Sequence, residues 1–105
     1  MDINKLAENL GLEEDEYLEL IDLFIETGKV DVEKLQSAIK EGNPDEAANA
    51  LHSLKGAAGN LGLMDIYDLA KNNEATARNN SLDGLNESVQ KLKDNLNSLT
   101  NISGS

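Results

Sequence analysis

Apolar residues recur at three- and four-residue steps along almost the whole chain, which is the spacing of an α-helix that buries one face. The most regular stripe comprises Leu82, Leu85, Val89, Leu92, Leu96 and Leu99. Alternating runs of β-branched residues, which would indicate strands, do not occur in the sequence, and there is a single proline. The pattern therefore predicts an all-α protein.

Glycines and capping residues divide this pattern into six predicted helices. They cover about residues 3–10, 13–27, 31–41, 44–61, 64–79 and 82–99. Gly28 and Gly42 are interpreted as stops. Asn43 and Pro44 give the clearest start signal, an N-cap followed by proline at the first helical position. Residues 101–105 are expected to form a frayed tail.

Short connections force consecutive helices to run antiparallel. The four longest stretches therefore predict an antiparallel up-and-down four-helix bundle, with one or two short extra helices in the N-terminal part. The length of 105 residues fits a single domain, residues 1–105. Met1 and the complete helix set favour a free-standing domain. A coiled-coil dimer through the last helix is the alternative, because coiled-coil seams share this pattern, but we expect a monomer.

The formal net charge of −11 is concentrated in the first half of the chain. Residues 1–46 contain 14 acidic and 4 basic residues, whereas residues 47–105 contain 6 and 5. Because lysine and arginine drive phosphate binding, this balance argues against nucleic acid and anionic membranes as partners. No cysteine, no apolar run of about 20 residues and no signal-like N-terminus are present, so we expect a cytoplasmic protein.

His52, the only histidine in the chain, lies nearly opposite the apolar stripe of its predicted helix. That stripe consists of Ala47, Leu51, Leu54, Ala58 and Leu61. Ala48, Gly56 and Gly59 share the face of His52, and Lys55 lies beside it. Each glycine inside a helix costs about 1 kcal/mol relative to alanine, so another advantage must favour two of them. They predict a surface that a partner protein approaches closely, although Gly59 also fits close packing of a neighbouring helix.

The other residues of the chain limit the reactions that the His52 imidazole could carry out. A metal site needs several ligands, and the chain has no second histidine and no cysteine. Ser53 is adjacent in sequence but points elsewhere, which argues against a hydrolytic triad. The remaining use is nucleophilic attack on phosphorus by the imidazole Nε2. Lys55 is placed to attract phosphoryl oxygens. Glu74 is a carboxylate in an apolar stripe, which makes it the candidate to bind Nδ1; the alternative is that it is only a partly exposed acid at the edge of that stripe.

Residues 52–62, HSLKGAAGNLG, closely resemble the H-x-L-K-G-x-x-x-x-L-G signature of histidine-containing phosphotransfer (HPt) domains. The resemblance extends over about residues 12–99. Phe24 matches the aromatic residue of the second helix in that family. The sequence departs from the family pattern at Asn73, where the family usually has leucine before the equivalent of Glu74.

The resemblance implies a four-helix bundle that relays a phosphoryl group between aspartyl-phosphate receiver domains. In that family the equivalent of His52 is the phosphoacceptor, the equivalent of Lys55 steadies the phosphate and the equivalent of Gly56 lets the receiver approach. Glu74 resembles the carboxylate that orients the histidine in chemotaxis kinases. The family also implies a carrier with no nucleotide site, to which the receiver brings Mg²⁺.

Two alternatives of other kinds remain open on the residues alone. One is a non-catalytic helical module that binds a partner helix in a groove. The other is an acidic inhibitor or nucleic-acid mimic, which would act through residues 13–46 and depend strongly on salt. Neither would need His52.

Overall fold

Five α-helices account for most of residues 2–103, which are the residues that the computed structural model describes. They are α1 (Ile3–Asn9), α2 (Glu14–Glu41), α3 (Pro44–Asn60), α4 (Met64–Arg78) and α5 (Leu85–Ser103). No strand occurs within residues 2–103. The all-α prediction is therefore confirmed.

The predicted break at Gly28 was wrong, because residues 14–41 form one continuous helix of 28 residues. Gly28 is buried in that helix. A Cβ atom added there would lie 3.0 Å from Leu96 Cδ2 and 3.6 Å from Leu54 Cδ1. The missing side chain thus allows α5 to approach α2, and this packing outweighs the low helix propensity of glycine. The true stop is Gly42, whose left-handed φ of 69° is the conformation that favours glycine.

The start of α3 follows the predicted capping signal. The Asn43 side chain accepts a hydrogen bond of 3.1 Å from the backbone N–H of Glu46, and Pro44 occupies the first turn. The C-terminal tail differs from expectation, since residues 101–103 continue α5. Residues 104 and 105, the rest of the predicted tail, lie outside the described residues.

Helices α2, α3, α4 and α5 form a closed ring in which each packs against its two neighbours. Connections of 2, 3 and 6 residues, which follow from the helix bounds, make consecutive helices antiparallel. The predicted four-helix bundle is confirmed, with α1 packed against α2 as the short extra helix. At about 1.5 Å per residue, α2 spans about 42 Å, which matches the 42 Å long axis of the molecule.

The core contains the apolar faces that the periodicity predicts, with Leu51, Leu54 and Leu92 almost fully buried. It is closed at one end by α1, whose Leu6 reaches the loop at Gly62. Because α3 lies between α2 and α4, only its outward face reaches solvent, and His52 is on that face. Within residues 2–103, no helix combines the length and apolarity that a membrane span needs.

Candidate functional site

The imidazole of His52 projects from the middle of α3 with 65% of its side-chain surface exposed. The packing of α3 explains this exposure, since Leu51 and Leu54 face the core on the opposite side. The ring is attached to a helix of 17 residues. The prediction of an exposed imidazole in mid-helix is confirmed.

Glu74 of α4 lies beside the ring, as the sequence predicted. His52 Nδ1 is 3.1 Å from Glu74 Oε2. Glu74 lies in the apolar stripe of α4, at the edge of the bundle. Most of its surface is covered, since it is only 8% exposed. The carboxylate and the imidazole therefore meet across the α3–α4 interface.

Lys55 binds the same carboxylate. Its Nζ atom lies 2.7 Å from Glu74 Oε1, and its side chain is 24% exposed. Lys55 is one turn after His52 on α3, so one helix presents both the ring and the ammonium group to Glu74. The structure thus brings His52, Lys55 and Glu74 together, with the carboxylate between the other two.

Arg78 is a fourth member that the sequence analysis missed. Its Nη2 atom is 3.4 Å from Glu74 Oε2, and its side chain is 48% exposed. Glu74 and Arg78 are four residues apart on α4, a spacing at which opposite charges attract on a helix. Because Glu74 was already a candidate, this four-residue spacing could have identified Arg78 from the sequence.

The charges around Glu74 decide its protonation. Burial of the carboxyl group acts to raise its pKa, but the hydrogen bonds and charges of Lys55 and then of His52 outweigh burial, and the pKa of Glu74 lies below its ordinary value. Glu74 is therefore ionised at neutral pH. An ionised carboxylate only accepts hydrogen bonds, so Nδ1 of His52 must donate to it. In the neutral ring this leaves the lone pair on Nε2.

The predicted small residues around His52 do not share one environment. Apart from its chain neighbours and the backbone of its own helix, no atom lies within 4 Å of a Cβ built on Gly56, so the surface beside His52 is open there. A Cβ on Gly59 would lie 3.2 Å from a ring carbon of Tyr67, which supports the packing interpretation of that glycine. Ala48 is 0% exposed and cannot belong to the docking surface expected for it. Helix packing covers a wider arc of α3 than its apolar stripe alone indicates.

Asn73, the departure from the family pattern, forms part of a polar contact between α4 and α5. Its Nδ2 donates to the carbonyl oxygen of Leu69 at 2.6 Å, and its Oδ1 accepts from Ser88 Oγ at 2.8 Å. Ser88 is 8% exposed and also reaches the carbonyl oxygen of Gly84 at 3.3 Å. Where the family usually has a leucine side chain, the Asn73 amide thus forms hydrogen bonds, next to Glu74.

The sequence raised two other uses of His52, a hydrolytic triad with Ser53 and a metal site. Ser53 donates to Asp31 Oδ2 of α2 at 2.9 Å and points away from His52, as predicted. Among the residues that the structure describes, no group of three or more His, Cys, Asp or Glu side chains is arranged to hold a metal ion. The groups gathered around His52 are instead one carboxylate and two cations.

A comparison with protein families matches the Hpt domain over residues 19–102. Comparisons with curated proteins and with solved structures give no significant match. The family match covers α3 with His52, α4 with Glu74, most of α2 and nearly all of α5. The chain therefore belongs to the Hpt domain family, whose members act in histidine phosphotransfer within phosphorelays and interact with receiver domains.

Proposed function

We propose that this protein carries a phosphoryl group on His52 Nε2 between the aspartyl phosphates of receiver domains. The observation that carries the proposal is the hydrogen bond between Nδ1 and Glu74, which leaves the other nitrogen of an exposed ring as the nucleophile. Gly56, with open space beside it, is the point of closest approach for the receiver. Gly59 has a packing role that Tyr67 explains.

The transfer step is a displacement at phosphorus. The Nε2 lone pair forms the N–P bond while the P–O bond to the receiver aspartate breaks, and the aspartate leaves as a carboxylate. The proton on Nδ1 stays in place, so the ring becomes a phosphorylated imidazolium. Glu74 stabilises this developing positive charge through the Nδ1 hydrogen bond, as the aspartate does in a Ser-His-Asp triad. Reversal of the step delivers the phosphoryl group to a second receiver.

Lys55 steadies the incoming phosphoryl oxygens. Its ammonium group has three hydrogens, of which the contact with Glu74 uses one, so it can contact a phosphoryl oxygen without giving up the carboxylate. Lys55 and Arg78 together carry two positive charges against the single negative charge of Glu74. This local excess favours an anion beside His52 in a protein whose net charge is −11.

The protein acts as a stoichiometric carrier in the cytoplasm, as a monomer and without a nucleotide site of its own. Mg²⁺ is supplied by the receiver domain, where the aspartyl phosphate is formed and broken. The carrier role and the source of Mg²⁺ rest on family membership and on a site that consists of one nucleophile with charged neighbours. The cytoplasmic location and the monomeric state are expectations from the sequence.

The direct test mixes the protein with a phosphorylated receiver and Mg²⁺. We expect an acid-labile, base-stable phosphate on His52, and its absence from His52→Gln. Incubation with phosphoramidate, a small phosphodonor, reports on the nucleophile without a partner. A null result with several cognate receivers, or label retained in His52→Gln, would contradict the proposal. A module that only binds partners would bind a receiver equally well in both forms and gain no phosphate.

A further inference from the structure

The loop between α4 and α5, residues 79–84, contains two dipeptides at which a side chain can react with the backbone. They are Asn80–Ser81 and Asp83–Gly84, and Asp–Gly occurs nowhere else in the sequence. In both, the backbone nitrogen of a small residue follows a side-chain carbonyl carbon that it can attack to close a succinimide ring. Asn80, Asp83 and Gly84 are exposed. The sequence alone therefore leaves two candidate sites in one loop.

The hydrogen bonds of the loop distinguish the two candidates. The backbone N–H of Ser81 donates to the carbonyl oxygen of Thr76 at 3.2 Å. A backbone nitrogen attacks a carbonyl carbon only after it releases its hydrogen, so this bond holds the Ser81 nitrogen out of the reaction. The backbone N–H of Gly84 donates to no acceptor within residues 2–103, although most backbone N–H groups in proteins are paired. Gly84 therefore has the nitrogen that is free to react.

The turn around Asp83 leaves room for the ring. The backbone N–H of Leu85 donates to the carbonyl oxygen of Leu82 at 3.2 Å, so Asp83 and Gly84 are the two central residues of a turn. The φ of Gly84 is 76°, a conformation that favours glycine. Apart from its chain neighbours, no described atom lies within 4 Å of a Cβ built on Gly84. No described residue binds the carboxylate of Asp83, whose backbone N–H alone is held, by Ser81 Oγ at 3.2 Å.

We propose that Asp83 is a site of spontaneous covalent modification, at which aspartate isomerises to isoaspartate through a succinimide. The nitrogen of Gly84 forms a bond to Cγ of Asp83, and the amide hydrogen and the carboxyl hydroxyl leave as water. Water then adds to either carbonyl of the ring. Opening at Cγ restores aspartate, whereas opening at the main-chain carbonyl leaves Gly84 attached through the side chain. The net reaction is an isomerisation that consumes no other reactant.

Isomerisation would weaken the start of α5. The carbonyl oxygen of Gly84 accepts hydrogen bonds from the backbone N–H and from Oγ of Ser88, both at 3.3 Å. Isoaspartate adds one carbon to the main chain directly before Gly84, which disrupts these bonds and the turn that places the fully buried Leu85. We expect the melting temperature of the isomerised protein to fall by about 5 °C, the shift that follows from the loss of roughly one hydrogen bond.

Ageing of the folded protein tests the proposal. The protein is kept for several weeks at physiological temperature and near-neutral pH, digested, and analysed by electron-transfer mass spectrometry, which distinguishes isoaspartate from aspartate. An isoaspartyl methyltransferase with S-adenosylmethionine counts the modified chains, because it methylates the α-carboxylate that only isoaspartate exposes. We expect isoaspartate at residue 83 in higher yield than at any other aspartate, and Asn80 largely intact. Thermal unfolding of the isomerised fraction measures the effect on α5.

Two conservative variants provide the comparison. Asp83→Glu lengthens the side chain, so the ring that must close is larger and forms much more slowly, and the isoaspartate signal should disappear. Asp94→Glu makes the same change at another exposed aspartate, which lies within α5, and should leave the signal at residue 83 unchanged. The wild-type chain aged in denaturant gives the yield at residue 83 without the turn.

Three results would overturn the inference. Isoaspartate at residue 83 in the denatured chain but not in the folded protein would show that the turn protects Asp83. A higher yield of deamidated Asn80 would show that the hydrogen bond of Ser81 does not decide which site reacts. An unchanged melting temperature of the isomerised fraction would refute the effect on α5. None of these measurements involves phosphorylation of His52, so a failure here leaves the proposed function in place.

Discussion

Replacing Glu74 by glutamine removes the charge that faces His52 while preserving the shape of the side chain. The glutamine carbonyl can still accept the Nδ1 hydrogen bond, so Nε2 keeps its lone pair. What should disappear is the stabilisation of the positive charge that the ring would gain in the proposed phosphorylation. Glu74→Gln therefore separates the electrostatic role of this residue from its role in orienting the ring.

The size of the effect follows from the contact distance and from exposure. Two unit charges about 4 Å apart interact by about 4 kcal/mol at an effective dielectric constant of about 20 and by about 1 kcal/mol in water. The 3.1 Å contact joins an almost buried carboxylate to a ring that is 65% exposed. An intermediate value of about 2 kcal/mol corresponds to a rate about 30-fold slower.

The assay is single-turnover transfer from a phosphorylated receiver, with Glu74→Ala as the second variant. Glu74→Ala should be slower still, and ¹⁵N NMR of the ring should show it losing the Nδ1-protonated tautomer that Glu74→Gln retains. If Glu74→Gln is folded and transfers at the wild-type rate, the carboxylate does not stabilise the ring charge. If the tautomer is the same in all three proteins, Glu74 does not orient the ring.

Four further outcomes test the packing, the docking face and the ionisation. Gly56→Ala should raise the free energy of unfolding by about 1 kcal/mol in chemical denaturation, since helix propensity improves and no group outside the local helix backbone lies within 4 Å of the new Cβ. Gly56→Leu should keep the helical content, yet its bulk should block phosphoryl transfer. Normal transfer by Gly56→Leu would show that the glycine does not clear the docking face. Gly28→Val should lower the free energy of unfolding by about 2 kcal/mol, because the larger side chain would be overpacked against Leu96. An unchanged melting temperature would refute this. Because the pKa of Glu74 is lowered in the folded state, its stabilising effect is present above the ordinary glutamate pKa and is lost as the pH falls through the folded value. The stability advantage of the wild type over Glu74→Gln should therefore shrink in acid, and a constant difference from pH 7 to pH 3 would contradict the shift.

Helix content and the exposed face of α3 were predictable because both depend on local periodicity. The N-cap at Asn43 and the stripe containing Leu51 and Leu54 leave His52 on the outer face of any helix formed there. Glu74 was identifiable because a carboxylate in an apolar stripe has no packing reason to be there. Its contact with His52 stayed a prediction until the distance between α3 and α4 was known.

Predictions failed where a residue's role depends on its neighbour in another helix. Gly28 has the sequence of a helix stop, but Leu96 fills the space above it and α2 continues. Ala48 shares the helical face of His52, but the bundle covers it completely. Both errors arise because helical phase says which way a residue points and not how far the neighbouring helices reach around it.

The sequence by itself determined an all-α chain, a single imidazole on a solvent-facing helix surface and a lysine one turn away, because each depends on residues within a few turns. Tertiary structure decided which nitrogen of His52 donates a hydrogen bond and which keeps its lone pair. That choice requires Glu74 to reach Nδ1 from α4 while Lys55 keeps the carboxylate ionised and Arg78 lies beside it. These groups are up to 26 residues apart, from His52 to Arg78, and only the packing of α4 against α3 brings them within hydrogen-bonding distance of one carboxylate.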